Sequence, residues 1–273
     1  MSSTATATAT VTATRPAYRV TPRGVLAGEW TKFWSLRSTW ITLAVSAVLL
    51  VLIGVIASGT YDPGTTGRGG GASDAVGLAL TGSTFAALAA GILGVLLAAG
   101  EYSTGMIRST LTAVPKRLPV LWSKAIIAGG IATAVMAAGA IVAFLAGSTL
   151  LPDAMTAPGL GGDGVLRSLL GAGLYLGLVA VLGVGLGALV RSSAGGIAIL
   201  TGVLLIVPGL TSLLPGSWAD TISPYLPSNA GGAIMSLHTA DGSLGPWAGL
   251  AVFAGWVALT LGGAAWRLKN ADA

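Results

Sequence analysis

The chain carries little of the usual catalytic chemistry. Its 273 residues include no cysteine, one histidine (His238) and nine carboxylates. Without cysteine there are no disulfides, thiolate nucleophiles or Cys-based metal sites, and a lone histidine offers no cluster for zinc or iron. Serine and threonine are plentiful, but none has an identifiable base that would make it a nucleophile. No GxxxxGK[ST] loop is present to cradle nucleotide phosphates. These residues predict a chain that is not an enzyme, with no metal and no cofactor of its own.

Charge and aromatic character concentrate in three stretches. The first is Gly28-Glu29-Trp30-Thr31-Lys32-Phe33-Trp34-Ser35-Leu36-Arg37, where Trp30, Phe33, Trp34 and Arg37 fall at i, i+3, i+4 and i+7. As a helix it carries an aromatic stripe with a basic end, which suits a helix lying in a membrane interface; it reads as a juxtamembrane anchor or as a mechanical element. The second runs from Glu101 to Lys124, with Met106, Ile107, Leu111 and Val114 as an apolar face and Arg108, Lys116 and Arg117 around it. It reads as a solvated basic loop or as a short helix docked into a partner. The third, about Pro215 to Gly245, contains Trp218, Pro224, Tyr225, Pro227 and Asn229. It is too apolar for a free loop and too broken by proline and glycine for a span, so a re-entrant or interface-lying segment fits. Its role is that of a cap or of a gate.

The elements that must position these stretches are set by composition. The chain is 53% hydrophobic and 8% charged, with a mean hydropathy of +0.84, whereas a soluble domain carries about 25% charged residues. Apolar runs long enough to cross a bilayer, which takes about 20 residues, lie at 39–58, 76–99, 125–151, 168–190, 194–214 and 246–266. None of these cores holds an Asp, Glu, Lys or Arg, and Pro208 is expected to kink the fifth. Residues 1–24 form a low-complexity tail expected to be disordered, with no signal peptide, and residues 25–273 form one all-α transmembrane domain.

Sidedness follows from the basic residues. With both termini cytoplasmic, Arg15, Arg19, Arg23, Lys32, Arg37, Arg108, Lys116, Arg117, Lys124, Arg191, Arg267 and Lys269 lie inside, and only Arg68 and Arg167 lie outside. Six aspartates (Asp62, Asp74, Asp153, Asp163, Asp220 and Asp241) fall outside. The formal charge of +5 is therefore a topology signal and not a nucleic-acid footprint. An ion-coupled secondary transporter would be expected to place ionisable groups within the membrane, which the charge-free cores disfavour. A passive channel or membrane anchor would leave the first two stretches unexplained.

With those residues in view, the chain resembles the ABC-2 type transporter permeases, the membrane-spanning subunits encoded apart from their ATPase. The resemblance rests on "GEWTKFWSLRSTW" before the first span, "EYSTGMIRSTLTAVPKR" after the second and "YLPSNAGGAI" between the fifth and sixth. It implies that Glu101, Gly105, Arg108, Lys116 and Arg117 form a surface coupling the permease to an ATP-binding cassette subunit, with Glu29 and Lys32 on a connecting helix beside it. It further implies that ATP and Mg are bound by that partner subunit and that two permease subunits pair, as a homodimer or a heterodimer. Alternating access would then export a hydrophobic or amphiphilic small molecule across a bacterial plasma membrane.

Overall fold

The computed structural model describes residues 21–62, 74–106, 110, 117–152, 158–211, 213, 216–239 and 242–270. Among them the regular structure is entirely helical. The helices are α1 Pro22–Ser35, α2 Arg37–Gly59, α3 Ala75–Ala79, α4 Ser83–Ser103, α5 Arg117–Ser148 and α6 Val165–Val190. They continue as α7 Ser193–Thr211, α8 Gly216–Ile222, α9 Pro227–Gly232 and α10 Pro246–Asn270. Six of these, α2, α4, α5, α6, α7 and α10, are long and apolar enough to cross a membrane. This is a multi-pass membrane protein.

The distribution of side chains on α2 shows which solvent the fold is built for. Its outward face is Ile41, Val45, Val48, Leu52 and Ile56, all exposed, while Thr39, Ser46, Gly54 and Ser58 join Leu43 and Leu50 on the buried face. A water-soluble helix turns its apolar stripe inward. Here five large aliphatic residues face out and small or hydroxyl-bearing ones share the inner face with two leucines, the pattern expected where lipid is the solvent and small residues let helices approach. Two of the inward hydroxyls are bonded: Ser46 Oγ donates to the Ala86 carbonyl at 2.8 Å and Ser58 Oγ to the Gly54 carbonyl at 2.9 Å.

Helix α6 is the hub. Buried residues make up 72% of its span window, against 17% for α7, so α6 is enclosed by protein and α7 lines the outside. Glycines on α4 and α6 bring the two backbones into contact. A Cβ on Gly94 would overlap the Ala180 carbonyl, and one on Gly183 would overlap the Gly91 carbonyl. On the other flank of α6, Gly173 and Gly177 admit Ala137 and Thr133 of α5 in the same way.

Several boundaries differ from the sequence reading for tertiary reasons. The span placed at 76–99 is two helices, since the chain turns at Leu80–Gly82 and restarts at Ser83. Gly82 packs directly on the Leu49 and Leu50 carbonyls of α2, with no room for a side chain. The span placed at 125–151 begins earlier, at Arg117, and ends at Ser148. Of the span placed at 194–214, Ser193–Thr211 is helical and residues 212 and 214 lie outside the described residues; before Pro208 the helix widens into a π turn at Gly202–Ile206. Proline lacks an N–H and crowds the carbonyl four residues earlier; a π turn is one way a helix absorbs that. The aromatic stripe does not run through to Arg37. Helix α1 stops at Ser35, Leu36 is extended (φ −87°, ψ 110°), and Arg37 opens α2.

The α4–α6 contact yields a prediction. Gly183→Val forces a branched side chain into the Gly91 backbone and should lower stability by about 1–3 kcal/mol, the usual range for overpacking. Gly130→Ala on α5, which meets open space, should be neutral or stabilising. Thermal unfolding of both variants in lipid nanodiscs measures the contrast; equal midpoints would refute the close-packing account.

Candidate functional site

Helix α1 begins with Thr21, whose Oγ1 accepts from the Gly24 amide at 3.2 Å, followed by Pro22 in the first helical position, a standard helix start. Its buried face is Val25, Glu29 and Phe33, spaced four apart. Trp30 and Trp34 are each half exposed and stack edge-on at 5.8 Å. The aromatic stripe is thus divided: Phe33 and the Glu29 carboxylate face the protein, and the two indoles face outward, as interfacial aromatics do.

Glu29 turns inward because charged partners wait there. Lys124 Nζ donates to Glu29 Oε2 at 2.7 Å and to Glu101 Oε1 at 3.0 Å. Lys32 Nζ donates to Glu29 Oε1 at 2.9 Å, to Glu101 Oε1 at 3.0 Å and to Thr110 Oγ1 at 3.3 Å. Glu29, Glu101 and Lys124 are buried, and the Lys32 side chain is 32% exposed. The result is a neutral ring of two acids and two bases joining α1, the last turn of α4 and α5 two turns beyond Arg117. It takes up both glutamates of the chain. Burial pushes the Glu29 carboxyl up, but the adjacent Lys124 and then Lys32 outweigh it and hold the group below the ordinary carboxylate range. Burial likewise pulls Lys32 down, yet its bonds to Glu29 and Glu101 carry it above the usual lysine range.

The Glu101-x-x-x-Gly105 spacing has a local physical origin. Helix α4 ends at Ser103, Thr104 caps it, and Gly105 takes φ +72° with its amide donating to the Tyr102 carbonyl at 3.3 Å. Glycine there lets the chain leave the helix in the left-handed conformation. Arg117 opens α5, and its Nη1 donates to the Leu268 carbonyl of α10 at 3.1 Å. Arg108 and Lys116 lie outside the described residues. Of the seven residues expected to couple to a partner, Glu29, Lys32 and Glu101 meet in the ring, while Gly105 and Arg117 flank it on the chain.

Lys124, Tyr102 and Arg191 are the residues the sequence reading passed over. Lys124 was placed at the end of a loop; it is a buried member of the ring. Arg191 sits at φ +59° in the two-residue turn between α6 and α7, its guanidinium 5.2 Å from the centroid of the Tyr102 ring, within cation–π range. Arg267 donates to the Leu189 carbonyl. One signal pointed to Lys124: a chain with only two glutamates must pair them when they border apolar helices.

The opposite end of the bundle holds the remaining candidates. Tyr225 ends a short 3₁₀ turn and is exposed, Pro227 opens α9, and Asn229 Nδ2 donates to both the carbonyl and the Oγ of Ser223 at 2.9 Å. Trp256 of α10 donates to the Tyr225 carbonyl at 3.1 Å, and Arg167 of α6 donates to the Ser236 carbonyl at 2.9 Å. Gly249 abuts the Ala230 carbonyl. The segment is therefore a string of short helical turns fastened to α6 and α10.

No protein-family model matches the chain, and no curated protein matches it at a significant level.

The ring predicts two stability effects. Lys124→Met leaves two buried carboxylates sharing one lysine and should cost about 3–5 kcal/mol, as breaking a buried pair does; Lys32→Met, at a more exposed member, should cost less. The pH dependence has two limbs. The Glu29 contribution is present above the ordinary carboxylate value of 4.5 and is lost as pH falls below it through the lowered folded value. The Lys32 contribution is present below 10.5 and is lost as pH climbs past it through the raised folded value. Unfolding midpoints measured across pH should show a plateau between the limbs, and Glu29→Gln should flatten the acid one.

Proposed function

We propose that this chain is the membrane-spanning subunit of an ATP-driven exporter, working with a separate ATP-binding cassette ATPase and a second permease subunit. ATP and Mg would bind in the ATPase. Orientation in this reading puts the end bearing Lys32, Arg37, Arg117, Lys124, Arg191, Arg267 and Lys269 in the cytoplasm of a bacterium, and the end bearing Asp62, Asp74, Asp163 and Asp220 outside. Cargo in this reading is a hydrophobic or amphiphilic small molecule, and the string of turns around Tyr225, Pro227 and Asn229 caps or gates the outer end of the pathway.

One observation carries the proposal. The ion ring welds the interfacial helix α1 to the two transmembrane helices, α4 and α5, that flank the connection 104–116. A force applied to that connection by a closing ATPase would reach α1, α4 and α5 together. Glu101 and Tyr102 then hand it to α6 and α7 through Arg191. An ion-coupled carrier would need a titratable group in the pathway, whereas every charge of the ring is matched by a partner.

The test is whether the chain co-purifies with a P-loop ATPase of the same cell, followed by hydrolysis and transport assays in proteoliposomes. Arg108→Ala should weaken the complex by about tenfold, equivalent to about 1.4 kcal/mol. Glu101→Gln should leave the complex assembled but separate hydrolysis from transport. Unchanged assembly, hydrolysis and transport in both variants would sink the coupling role, and transport driven by a proton gradient without any ATPase would replace the whole reading.

A further inference from the structure

A cavity of about 360 Å³ lies beside the ion ring, enclosed by α1, α2, α4 and α5. Ligand pockets usually run from about 300 to 1,000 Å³. Its deep wall is apolar, formed by Leu93, Leu97 and Ile127, and Glu101, Lys32 and Lys124 form its charged rim. Leu93 precedes Glu101 by eight residues on α4, so the apolar wall reaches about 12 Å below the rim at 1.5 Å per residue. The mouth is flanked by Leu36, Leu96 and Met106, which line the cavity and are 43%, 39% and 39% exposed. Apolar lips of that kind suit entry from lipid rather than from water. The shape fits one alkyl chain with a polar head, drawn sideways from the bilayer.

Hydrogen-bond capacity decides the sign of the head group. An ammonium has three protons, and those of Lys32 are all committed, to Glu29, Glu101 and Thr110. Lys124 commits two of its three and is buried. Each carboxylate has about four lone-pair sites, and Glu29 and Glu101 each accept only two of these bonds. Both bonds to Glu101 fall on Oε1, which leaves Oε2 for a further donor. Two of the hydroxyls around the cavity act in the same sense. Thr42 and Thr104 each donate to their own helix, to the Ser38 and Gly100 carbonyls at 2.8 Å, and so turn lone pairs outward. Acceptors outnumber the charged donors left over: each carboxylate keeps lone pairs, whereas of the two ammonium groups Lys124 alone has a proton uncommitted. An anionic head would find one buried lysine proton and the repulsion of two carboxylates, whereas an ammonium finds acceptors in place and Lys32, the exposed member, can swing toward water.

We propose that this cavity binds a single-chain cationic amphiphile, a lipophilic primary amine, with its ammonium on Glu101 and its alkyl chain against Leu93, Leu97 and Ile127. The assignment rests on the cavity and the ring alone, so it stands or falls separately from the ATPase reading, and its test contains no ATPase.

The probes are decylamine, decanol and decyl phosphate, matched in chain and differing in head. Tritiated forms are titrated onto the full chain in nanodiscs of a zwitterionic lipid, with empty nanodiscs subtracted. Decylamine should saturate at one site per chain and bind at least about tenfold tighter than either other probe, a difference of about 1.4 kcal/mol. Leu96→Trp, at an exposed position that tolerates bulk, should block the mouth and weaken decylamine by a similar factor with the unfolding midpoint unchanged. Glu101→Gln should erase the preference for the amine over decanol. Decyl phosphate binding as tightly as decylamine overturns the charge assignment, and decylamine binding that ignores Leu96→Trp overturns the location.

Discussion

Charge neutrality at one buried point governs how this molecule is held together at its basic end. Glu101 sits in the last turn of α4, where the helix dipole disfavours a carboxylate, and Lys124 is buried two turns into α5, where an unpaired cation is costly. Neither placement is stable alone. Each becomes stable because the other is 3.0 Å away and because α1 delivers Glu29 and Lys32 to complete the ring. Ion rings of this kind contribute modest net stability against an apolar replacement, but removing one member is severe. That asymmetry makes the ring a device for position: α1 can dock in one place only.

Below the ring the bundle coheres by a different means. Lipid tails are as apolar as leucine, so burial of leucine between helices gains little over leaving it in the bilayer. Close approach of backbones must supply the attraction, and the glycines of α4 and α6 permit it. The two regimes meet at residues 101 and 102: Glu101 belongs to the ring, and Tyr102, one residue on, receives Arg191 from the turn that closes the hub helix. A contiguous path thus runs from the connection after α4 to the enclosed centre of the bundle.

The membrane fold was legible in the sequence because its signal is local and long: six apolar runs with charges at their ends. What was not legible depended on contacts between distant residues. Nothing around Leu80–Gly82 marks a break, since it is Leu49 and Leu50 of another helix that require one. Arg117 to Lys124 reads as loop because Arg117, Trp122 and Lys124 interrupt the apolar run, and only Glu29 and Glu101, far away in the chain, make a helix there acceptable. Glu29 and Lys32 were recognisable as a charged pair beside an aromatic stripe, but which face of α1 turns inward was decided by Lys124. Gly105 stood out through the resemblance alone, and the backbone supplies a local reason for it, a left-handed helix stop.

The π turn at Gly202–Ile206 has a bearing on how the chain tolerates change in length. A π turn holds one residue more than the α-helical turn it replaces, so α7 carries an insertion already accommodated within its own geometry. Loss of one residue from this stretch could be absorbed by tightening the turn, leaving Ile199 before it and Leu210 after it on their present sides. The same loss in α6 has nothing to absorb it. It would rotate everything downstream by about 100° and turn the glycine faces away from α4 and α5. The outermost helix is the one in which register can be edited, and the hub is the one in which it cannot.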